Sequence, residues 1–211
     1  MLRRFPAPPG EVVLLSTVQG LASEALRVRE AWHDARPAAL ALGLSPESVA
    51  ALLRYAPVEG EDLFEELSDA EYVFAAKLGE YGPVALPPPD VLEATRLAAE
   101  AGVPVHGVDL TEEQYEEAFT TEVSAWGLLR YGRLQRKLAR RPPRAPDARA
   151  FSLAWDAGIR RVKGIARVEA RREKAIAERA AALAAQVAGP VLLLVDAPRE
   201  AGVARGLEGG A

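Results

Sequence analysis

The sequence predicts an α/β protein: a mostly parallel central sheet with helices on both faces and a long C-terminal helix before the last strand. Three short and almost wholly apolar runs, at 12–16, 39–44 and 191–195, are typical of strands that are buried on both faces. A helical pattern at 22–36 lies between the first two runs and completes a strand–helix–strand unit. We therefore expect one α/β domain over residues 1–211.

The segment that follows the second strand is predicted to be helical. Ser45 is a typical N-cap residue and Pro46 suits the first helical position, so a helix should begin here. The acidic stretch 60–81 is also predicted to be helical, which makes 46–82 a helical insertion. Residues 83–86 form either a third strand or an extended connector.

Capping signals then mark two further helices with a strand between them. Asp90 is predicted to cap a helix that ends at Gly102. Residues 103–109 have the apolar character of another strand. Thr111 and Gln114 form a capping box for the helix after it.

Residues 112–188 form a basic helical part of the domain. Within it, apolar residues recur over 151–187 with the spacing of a heptad-like seam on one long helix. A continuous helix of this length would extend for about 55 Å, which is longer than a compact domain of this size is wide. Either Gly158 or Gly164 bends the helix, or its far end packs on a second copy of the chain, which predicts a homodimer.

Composition excludes several classes of protein. The chain has no cysteine, which excludes disulfides, thiolate metal sites and a thiol nucleophile. The basic N-terminus continues into proline and glycine instead of the apolar core of a signal peptide. No apolar run reaches the roughly 20 residues that span a bilayer. We expect a cytoplasmic protein with no membrane partner.

Charge is divided between the two halves of the chain. Residues 1–120 hold 8 basic and 21 acidic side chains, a net −13, whereas residues 121–211 hold 18 and 9, a net +9. The basic side chains concentrate in 130–144 and 160–179, a pattern that nucleic-acid surfaces share. Because the whole chain carries −4, we favour packing of these helices against acidic groups and regard nucleic acid as the least favoured partner. The candidate acidic partners are Glu113, Glu116, Glu117 and the acids at 61–71.

The common cofactor and metal motifs are absent from the sequence. Neither GxGxxG nor GxxxxGK[ST] occurs. Of the two histidines, His33 lies near a helix C-terminus, where a cation stabilises the helix dipole, and His106 lies within a strand pattern. The sequence therefore predicts no cofactor and no metal site.

Glu169 and Glu173 lie four residues apart on the apolar seam. Two carboxylates in such a place are costly unless they are paired or hydrogen-bonded. We favour a polar break in the seam that meets Arg171 and Arg172. The alternative is that both glutamates form the floor of a cleft.

Segments in a fixed order carry a family pattern. Residues 16–19 read Ser-Thr-Val-Gln, and 36–44 read Arg-Pro-Ala-Ala-Leu-Ala-Leu-Gly-Leu. Residues 102–109 form a strand that ends in Asp, 172–177 carry Arg-Glu-x-x-Ile-Ala, and 195–203 read Val-Asp-Ala-Pro-Arg-Glu-Ala-Gly-Val. Together these segments resemble the TraB / pheromone-shutdown family, whose pattern has Gly-Thr-x-His, Lys-Pro-Asp-x-Val-x-Val-Glu-Leu, Glu-Arg-Asp-x-x-Met-Ala and Val-Gly-x-Gly-His-x-x-Gly-Ile in these places.

The resemblance implies an activity whose residues are largely replaced here. Proteins related to the family are thought to be metal-dependent peptidases with two Gly-x-x-His elements and an acidic residue after the second strand. The two histidine positions are Gln19 and Arg199 in this chain, and the glutamate position is Gly43. Glutamine cannot act as a general base, and arginine stays protonated and repels a divalent metal. The resemblance therefore predicts the fold and a catalytically inactive member.

Loops at the carboxyl ends of the predicted strands should converge on one cleft, which is where parallel sheets bind ligands. Our first hypothesis is that the chain binds a small anionic ligand or a protein partner in this cleft. The candidate ligand-binding residues are Thr17, Gln19, Asp109, Arg172, Glu173 and Arg199.

Two alternatives stay open. The first is a hydrolase or peptidase in which a divalent metal is held by a rearranged acidic set, consisting of Asp109, Glu169, Glu173 and Asp196. It requires three of these carboxylates within metal-binding distance of one point. The second is nucleic-acid binding through the basic helices, which requires their arginines to share an exposed face.

Overall fold

The apolar runs of the sequence form the centre of a five-stranded sheet in the computed structural model, which describes residues 2–55 and 67–209. The strands are β1 (Arg3–Ala7), β2 (Gly10–Thr17), β3 (Ala39–Leu42), β4 (Val105–Gly107) and β5 (Pro190–Asp196). They are ordered β1–β2–β5–β3–β4, and all neighbours except β1 and β2 are parallel. The last strand thus lies between β2 and β3, and the predicted α/β class is confirmed.

β1 is a strand that the sequence analysis did not predict. It pairs antiparallel with the first apolar strand, with Phe5 opposite Val12, and Phe5 is its only buried residue. An edge strand that carries two arginines and a proline has no apolar run to identify it.

Helices cover both faces of this sheet. In chain order they are α1 (Glu24–Ala35), α2 (Pro46–Arg54), α3 (Asp69–Leu78), α4 (Pro89–Ala101), α5 (Glu112–Glu122), α6 (Ala125–Arg140), α7 (Ala148–Ile159), α8 (Lys163–Ala184) and α9 (Glu200–Gly209). Neighbouring residues of β5 point to opposite faces, so Leu193 packs with Ile176 of α8 and Val203 of α9. Leu192 packs on the other face with Trp32 of α1, alongside α2 and α4.

A third group of helices lies beyond the carboxyl ends of the strands. α3, α6 and α7 share a cluster in which Phe151 and Trp155 are buried. The ring of Phe74 lies 5.5 Å from that of Phe151 and 5.4 Å from that of Trp155, measured between centroids. The predicted insertion 46–82 is therefore divided: α2 packs on the sheet, and α3 packs in this third group of helices. The predicted helical residues 60–66 lie outside the described residues.

Residues 151–187 do not form one continuous helix, because the chain breaks at 160–162 between α7 and α8. Glycines flank the break and permit close packing. A Cβ atom at Gly164 would lie 2.5 Å from the Glu122 carbonyl oxygen, and one at Gly158 would lie 3.0 Å from the Leu138 side chain. Bending near these glycines, one of the two expected alternatives, is therefore what the structure has.

The apolar seam of this region is covered within the chain. Trp155, Val162 and Ile176 are each at most 8% exposed, and they belong to three separate clusters of the core. A homodimer would need a surface other than this seam.

Local boundaries agree with the sequence in most places. Ser45 caps α2, Thr111 and Gln114 form the expected capping box, and Gly102 ends α4 with a positive φ of 66°. The expectation for Asp90 is wrong: α4 begins one residue earlier, and Asp90 is buried in its first turn. Residues 83–86 form a connector with one isolated bridge, from Val84 to Leu21.

Within the described residues, no helix combines the length and the apolar character that crossing a membrane requires.

Candidate functional site

Two acids lie at the carboxyl ends of β2 and β5: the buried Asp90 of α4 and the partly buried Asp196. The hydroxyl of Thr17 donates a hydrogen bond of 2.6 Å to Asp90. Asp196 accepts hydrogen bonds from the backbone N–H groups of Gln19 and Ala197, at 3.4 and 2.9 Å. Burial raises the pKa of Asp90, and it raises the pKa of Asp196 to about 6, although Arg199 and the two N–H groups partly oppose the second shift.

Farther along the same edge, acids and arginines alternate in a connected chain. Arg172 donates to one oxygen of Asp109 through Nη2 at 2.6 Å and Nε at 3.0 Å. Its Nη1 donates at 3.0 Å to Glu169, which also accepts from Nε of Arg199 at 3.0 Å. Asp109 is 2% exposed. The sequence-predicted residues Asp109, Arg172 and Arg199 are therefore linked through Glu169.

Arg160 extends this chain toward α9. Its Nη1 lies 2.7 Å from Glu173, and its Nε donates to Asp156. The Glu173 carboxylate occupies the space where Gly202 has no side chain, because a Cβ atom there would lie 1.8 Å from Oε2. We call the connected set the edge network; it consists of Asp109, Asp156, Arg160, Glu169, Arg172, Glu173 and Arg199.

The pKa values in the edge network follow from burial and from pairing. Burial opposes ionisation of Glu169, but Arg199, Arg172 and Arg160 outweigh it and lower the pKa of Glu169. Burial raises the pKa of Glu173 and of Asp156, and Arg160 only partly offsets it. Glu169 is thus held ionised as the central acceptor of the network.

The favoured interpretation of Glu169 and Glu173 is confirmed, with one change in the arginines. Arg172 is a partner as expected, but Arg160 and Arg199 take the place that the sequence analysis gave to Arg171. Sequence spacing could not identify them, because they come from the end of α7 and from the turn after β5.

The acidic set of the hydrolase alternative is divided among separate partners. Asp109, Glu169 and Glu173 each pair with arginine, and Asp196 binds backbone N–H groups. Over 2–55 and 67–209, no group of three or more His, Asp or Glu side chains is placed to hold a metal ion. The donors described here do not fit a divalent metal, and the hydrolase stays a prediction.

Two cavities open at this edge. One of about 510 Å³ lies between α3, α6 and α7, and its charged lining consists of Glu71, Asp156, Asp196 and Arg199. Another of about 410 Å³ lies beside α5, with a charged lining of Asp109, Glu112, Glu116 and Arg172. Acids outnumber arginine in both, so neither cavity is electrostatically suited to an anion.

A second candidate site lies on α6 and on the turn that follows it. Two cavities of about 560 and 470 Å³ adjoin there and share Arg140 and Arg141 in their linings. We call the surface around them the arginine cleft; its cationic side chains are Lys77, Arg133, Arg136, Lys137, Arg140, Arg141 and Arg144.

The charge of the arginine cleft is hardly neutralised. Lys77 pairs with Glu80 at 2.7 Å. The other six cations are exposed, and none forms a salt bridge with an acid in the described part of the chain. The expected packing against acids is therefore not found for 130–144 among these residues.

For 160–179 the same packing prediction is confirmed in part. Arg160 and Arg172 belong to the edge network, Arg167 pairs with Glu122, and Arg179 donates to Gln114 at 2.6 Å. The expected partners Glu113, Glu116 and Glu117 form no ion pair within the described residues, and the acids at 61–66 lie outside them.

Local interactions hold the walls of the arginine cleft in place. The hydroxyl of Tyr81 donates to the carbonyl oxygen of Ala145 at 3.0 Å, which ties the end of α3 to the turn after α6. Asp147 caps α7 by accepting from the N–H of Ala150 at 2.8 Å. The ring of Phe151 lies 5.7 Å from that of Tyr81. The cleft is therefore a built surface on three helices, not a mobile arginine tail.

Fold and site together define an α/β protein in which acids and arginines pair with each other at the carboxyl end of the sheet and a separate cationic surface lies on α6. No known family model matches the chain, and no curated protein is significantly similar to it. The resemblance to the TraB / pheromone-shutdown family stays a prediction, and the function is inferred from the sites alone.

Proposed function

We propose that this chain is a binding protein for a small anionic ligand and that the arginine cleft is its binding site. The observation that carries the proposal is the set of six exposed Arg and Lys side chains around two adjoining cavities, without an acid in salt-bridge distance among the described residues. Such a concentration of like charge is unfavourable by itself, and an anion in the cleft relieves it.

The shape and chemistry of the cleft indicate a ligand with several anionic groups. The larger cavity, of about 560 Å³, lies within the roughly 300–1,000 Å³ of small-molecule sites. Arginine binds phosphate and carboxylate oxygens with two parallel hydrogen bonds, and Arg140, Arg141 and Arg144 all line this cavity. A ligand with two or more phosphate groups suits this donor set best.

The residues expected from the sequence have a different role in this proposal. Arg172 donates to Asp109 and Glu169, and Arg199 donates to Glu169 through Nε, so both arginines stabilise the carboxyl end of the sheet. The hydroxyl of Thr17 binds Asp90, and the backbone N–H of Gln19 binds Asp196. We keep the sequence-based prediction of an anionic ligand, but we assign its binding site to α6.

Inorganic tripolyphosphate is the probe that tests the proposal. Isothermal titration at low salt should show binding to the wild-type chain and at least tenfold weaker binding to the Arg140→Glu, Arg141→Glu double variant. The matched control is Arg171→Glu with Lys174→Glu, which reverses two exposed charges on α8 and should bind like the wild type. Equal binding by the cleft variant, or none by the wild type, would contradict the proposal.

A second variant separates the two candidate sites. Arg199→Gln keeps a hydrogen-bond donor near Glu169 but removes the charge, and it should leave the tripolyphosphate affinity unchanged. Loss of binding in a variant that is still folded by circular dichroism would return the site to the sheet edge.

A further inference from the structure

One face of α6 presents a stripe of exposed residues that extends beyond the small-ligand site. Trp126, Arg130, Arg133, Lys137 and Arg140 follow one another at alternating spacings of four and three residues, and all five are exposed. Trp126 is 71% exposed. We call these five residues the α6 stripe; three of them, Arg133, Lys137 and Arg140, also line the arginine cleft.

α6 packs on the neighbouring helices through its opposite face, so the stripe has no part in this packing. Tyr131 and Leu134 pack with α5 and α8, and Leu138 packs with α7. An exposed tryptophan in line with four cations thus contributes nothing to the described core.

We propose that the α6 stripe and the arginine cleft together bind a single strand of nucleic acid, an inference that rests on the proposed anion site. The cations would contact successive phosphates, and the indole of Trp126 would stack on an unpaired base. This combination of a cationic track and an aromatic platform is how proteins hold single strands. α6 has 16 residues and is about 24 Å long, which spans about seven nucleotides of a stacked strand.

Other polyanionic partners fit the stripe less well. A helix that lies on a membrane needs an apolar face along its length, whereas the exposed apolar residues Trp126, Leu128 and Leu129 are confined to the first turns of α6. A duplex keeps its bases stacked inside and offers no base face to Trp126. The overall charge of −4 also argues against a general attraction to polyanions and for a local site.

Fluorescence anisotropy with labelled oligonucleotides of about ten residues, as RNA and as DNA, tests the inference. At about 50 mM salt the wild-type chain should bind the single strand at least tenfold more tightly than a duplex of the same length. Trp126→Ala should lower the affinity for the single strand about tenfold, as expected for the loss of one stacked base. Lys137→Ala should reduce the slope of log affinity against log salt concentration by about one, because one phosphate contact is lost. The control, Leu26→Ala, removes an exposed apolar side chain from α1 and should change nothing.

The failures of the two proposals can be told apart. Tripolyphosphate binding that depends on Arg140 and Arg141, with no effect of Trp126→Ala on the oligonucleotide, would overturn the single-strand inference and leave the anion site intact. Equal affinity for duplex and single strand would do the same. Sedimentation with anionic phospholipid vesicles but no oligonucleotide binding would assign the stripe to a membrane surface and overturn the inference. Absence of binding to every probe would overturn both proposals.

Discussion

At the scale of single residues, the acid at the end of β5 shows how burial and hydrogen bonding compete. Asp196 lines the cavity of about 510 Å³ and accepts two backbone N–H groups, which favour its charged form. Burial acts in the opposite direction and is the stronger effect, because the pKa rises from the 3.8 of a free aspartate to about 6. The folded protein therefore binds this proton more tightly than the unfolded chain does.

This pKa shift fixes the sign of a pH effect on stability. Between about pH 4 and pH 6, ionisation of Asp196 is more favourable in the unfolded chain. The free energy of unfolding of the wild type therefore falls by up to about 3 kcal/mol as the pH rises through this window. Asp196→Asn keeps the acceptor oxygen and removes the titration. Its free energy of unfolding, measured by urea denaturation relative to the wild type, should improve between pH 4 and pH 7. A difference that stays constant with pH would contradict the pKa shift.

Ion pairs between residues that are near in the chain could be predicted from the sequence, whereas the individual pairings between distant residues could not. The expectation that Glu169 meets Arg172 rests on one turn of helix, and the structure has that contact. Arg199 and Asp109 come to the same place only because β5 and β4 belong to one sheet. The predicted strands indicated that these loops converge, but they did not indicate that Glu169 joins Arg199 to Arg172 there.

At the scale of elements, long apolar runs were predicted well because burial on both faces leaves a clear pattern. β2, β3 and β5 all coincide with such runs. β1 was missed because Phe5 is the only buried residue among its five, and the sequence left the α7–α8 break open because Val162 continues the apolar spacing through it. The periodicity records which residues are buried, and it does not record whether one helix or two bury them.

The contact between α8 and α9 provides a prediction at this scale. Gly202 leaves room for the Glu173 carboxylate, so Gly202→Ala should displace that group from Arg160 and lower the free energy of unfolding by about 2 kcal/mol. The control is Gly132→Ala on α6, where a Cβ atom meets nothing within 4 Å and helix propensity favours alanine. Thermal and urea denaturation measure both variants.

A double variant identifies the cause of any loss. If the clash with Glu173 is responsible, the effects of Gly202→Ala and Glu173→Ala should not be additive, because the second substitution removes the group that the first one displaces. Simple additivity would mean that Gly202 acts through another contact.

At the scale of the whole molecule, the basic side chains of the C-terminal half lie in two different environments. Arginines of 160–179 cross to Asp109 and to neighbouring acids, so part of the +9 is used inside the fold. The cations of 130–144 face solvent on α6 and the turn after it. An acidic protein thereby carries a concentrated basic surface: the sequence shows the cluster at 130–144, and the structure shows that it is exposed and unpaired within the described residues.

This separation predicts an unusual chromatographic behaviour. A protein with a net charge of −4 should pass through a sulfated polysaccharide column at pH 7 if charge were evenly spread, but the arginine cleft should retain it. Elution should require added salt, because short-range pairing with sulfates is screened as the Debye length shrinks. Arg140→Glu with Arg141→Glu should elute early, whereas Arg171→Glu with Lys174→Glu, which changes the net charge equally, should elute with the wild type. Equal elution of the two variants would show that total charge governs retention, and not its concentration on α6.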